Sequence, residues 1–231
     1  NRGLKEATGK YVKILDADDH FDTPSLKTFL QKLTDIDTDL VLTDNTIFGD
    51  NNISKKYYGF NLPVEKPLTF IDFCNNNEFK ENIQMHNVAY RRSLFDSFSY
   101  HQQEGISYTD TQWILTPMAR VRTAYYMKLP LYKYLVGREG QTVAPEQMMR
   151  CANHNIILVN ALLTDYTKAD KSIPAIEGYM NFRLARQVKY LYRIYLAEFA
   201  GMGLDDITAF DKRLKEEHPA LSEETGQRTM G

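Results

Sequence analysis

The sequence predicts an α/β fold: a mixed sheet with flanking helices, followed by an α-helical C-terminal region. Two textures of the chain carry this. Up to about residue 142, short apolar runs of strand type alternate with amphipathic helical stretches, the order expected of a sheet covered by helices. From residue 143 to 231 the apolar residues recur at steps of three or four instead, the spacing of packed helices. A third observation supports both. The chain has 231 residues, 43% of them hydrophobic and 12% aromatic, enough to bury a substantial core.

Taken in order, residues 4–8 read as a short helix closed by Gly9, and residues 11–15 (YVKIL) as a strand. Residues 16–19 (DADD) follow directly. Thr23 and Pro24 open a helix whose stripe is Leu26, Phe29, Leu30 and Leu33. Residues 39–48 form the next strand, a turn spans 49–52, and 53–60 return as a hairpin arm. A short helix is expected around 68–74, a brief strand at 87–90, a turn of helix at 91–95 and a helix at 110–120. Two strands, 125–129 and 131–136, are separated by Pro130. The C-terminal helices are expected at 145–165, 174–199 and 205–217, with a loose polar tail from Pro219 onward. The domain boundary is therefore placed between 1–142 and 143–231.

Composition narrows the function. Lys and Arg number 28 against 30 Asp and Glu, a net charge of −2, which lacks the basic excess of a bulk nucleic-acid binder. No run matches a membrane span, and no basic start with an apolar run marks a secretory signal. Two cysteines, Cys74 and Cys151, make no disulfide framework and point to free thiols in a reducing cytoplasm.

Charge is unevenly spread. Residues 16–50 carry nine acids against Lys27 and Lys32. Three of those acids stand together in DADD, where a strand ends and ligands of α/β sheets commonly bind. Carboxylates one residue apart on extended chain project to one side, so Asp16 and Asp18 share a face. Such oxygen ligands suit Mg²⁺ or Mn²⁺ bridging to substrate phosphates. An acidic turn in which Asp19 or Asp22 caps the next helix explains the same letters, and spacing alone leaves both open.

The block NRGLKEATGKYVKILDADDHFD resembles the middle of the family 2 glycosyltransferases, inverting enzymes of GT-A fold. Asn1, Gly3, Leu4, Ala7, Gly9, Tyr11, Asp16, Asp18 and Asp19 follow the family pattern in order. The resemblance implies transfer of a sugar, with inversion, from a nucleotide-diphosphate sugar (a UDP-sugar foremost) to an acceptor hydroxyl on a glycan or lipid-linked acceptor. It implies that Asp18 holds a divalent cation, Mn²⁺ or Mg²⁺, and that Asp16 lies against the donor. It also implies bacterial surface-polysaccharide or cell-wall glycan synthesis, at or near the inner face of the cell membrane.

Inversion needs a carboxylate to take the acceptor proton. The resemblance places it at Asp110 in SYTDTQW, with Thr109 where the family commonly has Glu. A first-turn helix acid is the competing account of Asp110. The loop around LYKYLVGREGQT implies a donor-diphosphate contact from Arg138 with Thr142 as hydroxyl partner, Gln141 standing where Ser is common. Residues 120–138 hold five Lys or Arg and no acid, a positive counterpart to the elbow. His86 is a candidate for the acceptor pocket or an ordinary half-buried histidine, and Trp113 is expected in the core.

Arg183, Arg186, Lys189 and Arg193 give the long C-terminal helix a basic face. A solvated face accounts for it, with contact to an anionic membrane surface as the alternative. Two other functional readings stand beside transfer: an Asp-dependent phosphohydrolase, and a non-catalytic module. The chain begins at Asn1, and the family's base-recognising βα units, each about 30 residues, normally precede that point. These residues alone are therefore expected to be weakly active or inactive.

Overall fold

The computed structural model describes residues 1–49, 56–137, 151–198 and 203–227. A short helix α1 (Arg2–Glu6) leads into the edge strand β1 (Tyr11–Val12). The acidic elbow follows, then β2 (His20–Phe21) and helix α2 (Thr23–Leu33). The chain continues through β3 (Leu40–Gly49), β4 (Lys56–Tyr58), β5 (Pro67–Thr69), α3 (Phe70–Cys74), α4 (Asn77–Asn82) and β6 (Val88–Arg91). Helix α5 (Asp110–Leu115) and the long strand β7 (Thr123–Val136) complete the α/β part. Among the described residues, α6 (Ala152–Lys168), α7 (Pro174–Arg193), α8 (Leu204–Glu217) and α9 (Pro219–Gln227) come after it.

The sheet runs β1-β6-β3-β7-β2, with β4 added on β3 and β5 on β7. Among the described residues, only β3 and β7 pair in parallel; the other pairings are antiparallel. This is the mixed sheet expected.

Alternation along the strands splits the core between two faces. Val41, Ala89, Met127 and Leu131 turn to Phe29 of α2 and Ile36. Leu40, Leu42, Val88, Tyr90, Ala124 and Tyr126 turn to the other face, in one cluster with Trp113, Leu158, Tyr179, Leu184, Phe210 and Leu221. The compositional boundary at 142/143 is thus crossed by continuous packing, and the C-terminal helices form the outer layer of the sheet's larger core.

Several local expectations are corrected. Helix α1 ends at Glu6, and its C-cap is Ala7 in extended conformation, not Gly9. Regular strand pairing stops at Val12, because β1 has only Tyr11 and Val12 opposite β6. Asp22 caps α2: its carboxylate accepts from the Ser25 amide at 3.2 Å and hydroxyl at 2.8 Å. Pro130 does not split β7. It sits where the β3–β7 register shifts around Asp44, a bulge at which a missing N–H costs no ladder bond. The 110–120 helix breaks at Pro117, beyond which a short 3₁₀ turn runs. The tail is helical and docked: Leu221 and Thr225 are buried, and the Thr225 hydroxyl donates to the Leu221 carbonyl at 2.8 Å.

Shared packing has a thermodynamic consequence. Leu184 on α7 is fully buried in the cluster that contains the sheet residues. Leu184→Ala should lower unfolding free energy by about 2–5 kcal/mol. Far-UV circular dichroism and Trp113 fluorescence should shift together in urea as one transition. Helices that unfold apart from Trp113 would show the two layers to be independent.

Candidate functional site

The elbow is fixed by its second half. The Asp19 carboxylate accepts the Tyr132 hydroxyl at 2.7 Å and the Leu135 amide at 2.8 Å. Three residues on, the Asp22 amide donates to the Leu131 carbonyl at 2.8 Å, and Lys133 lies 3.5 Å from the Asp22 carboxylate. The Tyr132 oxygen also accepts the Asp16 amide at 3.1 Å. Asp19 and Asp22 thus join the elbow to β7, while Asp16 and Asp18 remain exposed.

Crowding of carboxylates shows in their acidity. Partial burial raises the Asp16 pKa, and Asp19 and Asp18 add to the rise. Burial raises Asp19 too, against the lowering effect of its Leu135 and Tyr132 hydrogen bonds.

His86 faces the elbow from just before β6. Its ring lies between Tyr132 and Tyr134, with centroids 4.4 and 4.6 Å away. Gln84 Oε1 takes the Asn45 amide at 3.0 Å and approaches His86 Nδ1 at 3.3 Å. That acceptor makes Nδ1 the protonated nitrogen and leaves the lone pair on Nε2. Burial pulls the His86 pKa down to about 4, and the Lys13 charge acts in the same direction, so the ring is neutral at physiological pH. Lys13 donates to the His86 carbonyl at 2.7 Å and is itself lowered to about 7 by burial.

Ligand atoms of Asp16, Asp19 and His86 lie within 4.8 Å of one another. Two carboxylates and a neutral imidazole are a donor set that fits a divalent cation. Asp18, the position implied by the resemblance, is exposed on the same elbow but outside this trio.

Asp110 opens α5 across a cleft from Asp16. Tyr108, two residues earlier, holds a left-handed backbone with φ of 68°, a costly conformation for a side chain of its size. That turn delivers Asp110 into a cavity of about 320 Å³ lined also by Asp16, His86, Tyr108 and Tyr134. Asp110 is exposed, and it also lines a second hollow with Arg183 and Arg186. Lost hydration raises its pKa to about 6, the Asp16 charge adds to the rise, and backbone N–H bonds and Arg183 oppose it.

The C-terminal helices hold this corner in place. The Ser107 amide donates to His154 at 3.1 Å, Gln112 and Thr116 donate to Asp165 at 3.0 and 2.6 Å, and Tyr179 donates to the Ile114 carbonyl at 2.9 Å. Arg183 does not join the solvated face expected of α7: it is half-buried, and its guanidinium donates to the Lys80 carbonyl at 2.9 Å.

Of the sequence candidates, the fold brings Asp16, His86 and Asp110 to one cleft. Arg138 and Thr142 lie outside the described residues. Trp113 is core, 2% exposed and stacked on Phe95 at 5.4 Å. Tyr132, Tyr134 and Lys13 were not singled out by sequence; the spacing of two between Tyr132 and Tyr134, which puts both on one face of the strand, was the signal for the first two. A larger hollow of about 1020 Å³ lies beside α1 and Phe95, away from the elbow, and carries no comparable set of carboxylates and histidine.

Residues 1–98 match the family model described as Glycosyl transferase family 2. No curated protein matches the chain in sequence. Among solved structures, S. aureus TarS 1–349 in complex with UDP-GlcNAc superposes with a TM-score of 0.58 at 17% identity, covering 94% of this chain and 59% of that one. The same fragment with UDP gives 0.52 at 16% identity, over 91% and 56%. A longer TarS structure gives 0.52 at 17% identity, over 88% and 32%. This chain thus spans less than two thirds of the TarS chains it resembles. The elbow, β1 to β6 and His86 all fall within the matched residues, so the first 98 residues are similar to family 2 glycosyltransferases and the fold is GT-A-like.

Proposed function

We propose that the cleft between the acidic elbow and Asp110 serves inverting glycosyl transfer from a UDP-sugar to an acceptor hydroxyl. The observation that carries this is the placement of Asp110. A carboxylate raised to about 6 faces a second carboxylate, Asp16, across a cavity whose elbow side lies within the residues that match the family model. UDP-GlcNAc and UDP are bound in the TarS structures that share the fold, which supports a nucleotide-sugar donor.

In this reading the acceptor oxygen attacks the anomeric carbon while Asp110 takes its proton. The bond from that carbon to the diphosphate oxygen breaks, and the nucleoside diphosphate leaves. A pKa near 6 suits the role, since the group is ionised at neutral pH yet more basic than an ordinary carboxylate. Asp16 orients the donor. Asp16, Asp19 and His86 would hold a divalent cation, Mn²⁺ more readily than Mg²⁺ because imidazole contributes, with Asp18 added to that set on the resemblance. When bound, that cation supplies charge stabilisation to the departing diphosphate. Arg138 and Thr142 are assigned to the donor phosphates on the resemblance alone.

Asp110→Asn should leave UDP-sugar binding within about twofold and reduce transfer by about 10²-fold or more. Unchanged transfer would remove Asp110 from the role. In the unsubstituted protein, kcat/KM should fall as pH drops through about 6, because protonation disables the base. A flat profile from pH 5 to pH 8 would contradict the assignment. Asp18→Ala should abolish the dependence of nucleotide release on added Mn²⁺, measured as UDP released over a metal titration after chelation. A variant with the original metal dependence would place the cation elsewhere.

A further inference from the structure

Asp110 is reached through a turn that needs holding. Tyr108 keeps a φ of 68°, a left-handed backbone that a bulky side chain disfavours. Relaxing it to an ordinary helical φ of about −63° would swing the chain that follows by about 130°. Asp110 lies two residues on, so the position of its carboxylate depends on what keeps Tyr108 as it is. The residues on either side of Tyr108 are both tied down. After it, Gln102 Nε2 donates to the Thr109 carbonyl at 3.1 Å and to the Thr109 hydroxyl at 2.9 Å. Before it, the Ser107 amide donates to His154 Nδ1 at 3.1 Å, and the Ser107 hydroxyl lies 3.6 Å from the Cys151 sulfur.

The tie at Ser107 comes from the first turn of α6, 47 residues away in sequence and outside the residues that match the family model. Helix α6 is a firm post, since Leu158, Val159 and Leu162 on it are fully buried. An amide can only donate, so His154 Nδ1 carries the lone pair and the ring proton sits on Nε2. His154 does not line the elbow cavity itself. Its influence on Asp110 therefore passes through Ser107 and the turn.

We infer that His154 is a positioning residue for Asp110: by accepting the Ser107 amide it holds Tyr108 left-handed and keeps Asp110 in the cavity shared with Asp16. The inference rests on Asp110 as the base. It makes the C-terminal helices act on transfer through one hydrogen bond, from a residue that never meets the substrates.

Two measurements on the whole protein test this. In the unsubstituted protein, NMR should detect ¹⁵N–¹⁵N coupling across the hydrogen bond from the Ser107 amide to His154, with Nδ1 at the shift of an unprotonated imidazole nitrogen. Absence of that coupling would overturn the inference without any variant. The second measurement follows UDP release from UDP-GlcNAc with MnCl₂. H154L offers no acceptor; it should lower kcat about tenfold or more and leave KM for UDP-GlcNAc within about twofold. H154N puts an acceptor oxygen where Nδ1 stood, and it should restore kcat to within about threefold of the unsubstituted protein. An unchanged kcat in H154L, an equal loss in H154N, or a rise in KM in place of the fall in kcat would overturn the inference. If Asp110→Asn abolishes transfer while H154L does not impair it, this inference alone falls; if Asp110→Asn transfers normally, the base reading falls and takes this one with it.

Discussion

Everything at the site hangs on the attachment of the elbow to β7. Four consecutive residues with three carboxylates are a poor segment for a defined conformation, since each charge repels the next. Tyr132 and the Leu135 amide take up the Asp19 carboxylate, and Asp22 is held by Lys133 and by the first turn of α2. Two of the local charges are thereby neutralised by donors, and the backbone between them is fixed. That leaves Asp16 and Asp18 exposed, Asp16 on the wall of the cleft, at no cost in definition. The same strand supplies Tyr132 and Tyr134, between which His86 is held. One long strand thus fixes both an acidic and an imidazole wall.

Such a strand needs support of its own. β7 pairs in parallel with β3 along nearly its whole length, and the register shifts on both sides of Asp44, where it meets Pro130. Asp44 is a fully buried carboxylate, and its partners are the hydroxyls of Tyr57 and Tyr126. Burial raises its pKa and the two tyrosine bonds lower it. Gly59 packs against this group so closely that a Cβ would lie 2.8 Å from its oxygen. The irregularity is a built joint: it absorbs the proline and lets the second half of β7 turn its tyrosines to the elbow.

The elements with strong local signals were legible in the sequence: α2, β3, β6, α7 and α8 stand within a few residues of where periodicity put them. The elbow was legible as chemistry, because carboxylates crowded after a strand demand an explanation. What was not legible depends on tertiary contact. β7 reads as two strands because Pro130 is a local breaker, and only pairing with a bulge in β3 makes it one. The tail reads as loose because it is polar, yet two buried positions, Leu221 and Thr225, suffice to dock α9. Arg183 reads as part of a solvated stripe because helical periodicity says which face a residue is on, not what lies opposite. His86 was ambiguous for the same reason, since its partners come from β3 and β7.

The net charge of −2 hides a separation in space that sets the basicity of Asp110. Asp16 on one side raises the carboxyl's pKa and Arg183 on the other lowers it, so the two charges work against each other. Burial is the largest influence, and it decides the direction. That balance has a mechanistic meaning. A positive charge brought to the elbow beside Asp16 lowers the base's pKa, and a negative one raises it. The pKa of about 6 belongs to the empty cleft, so what occupies the elbow shifts the pH at which Asp110 is ionised.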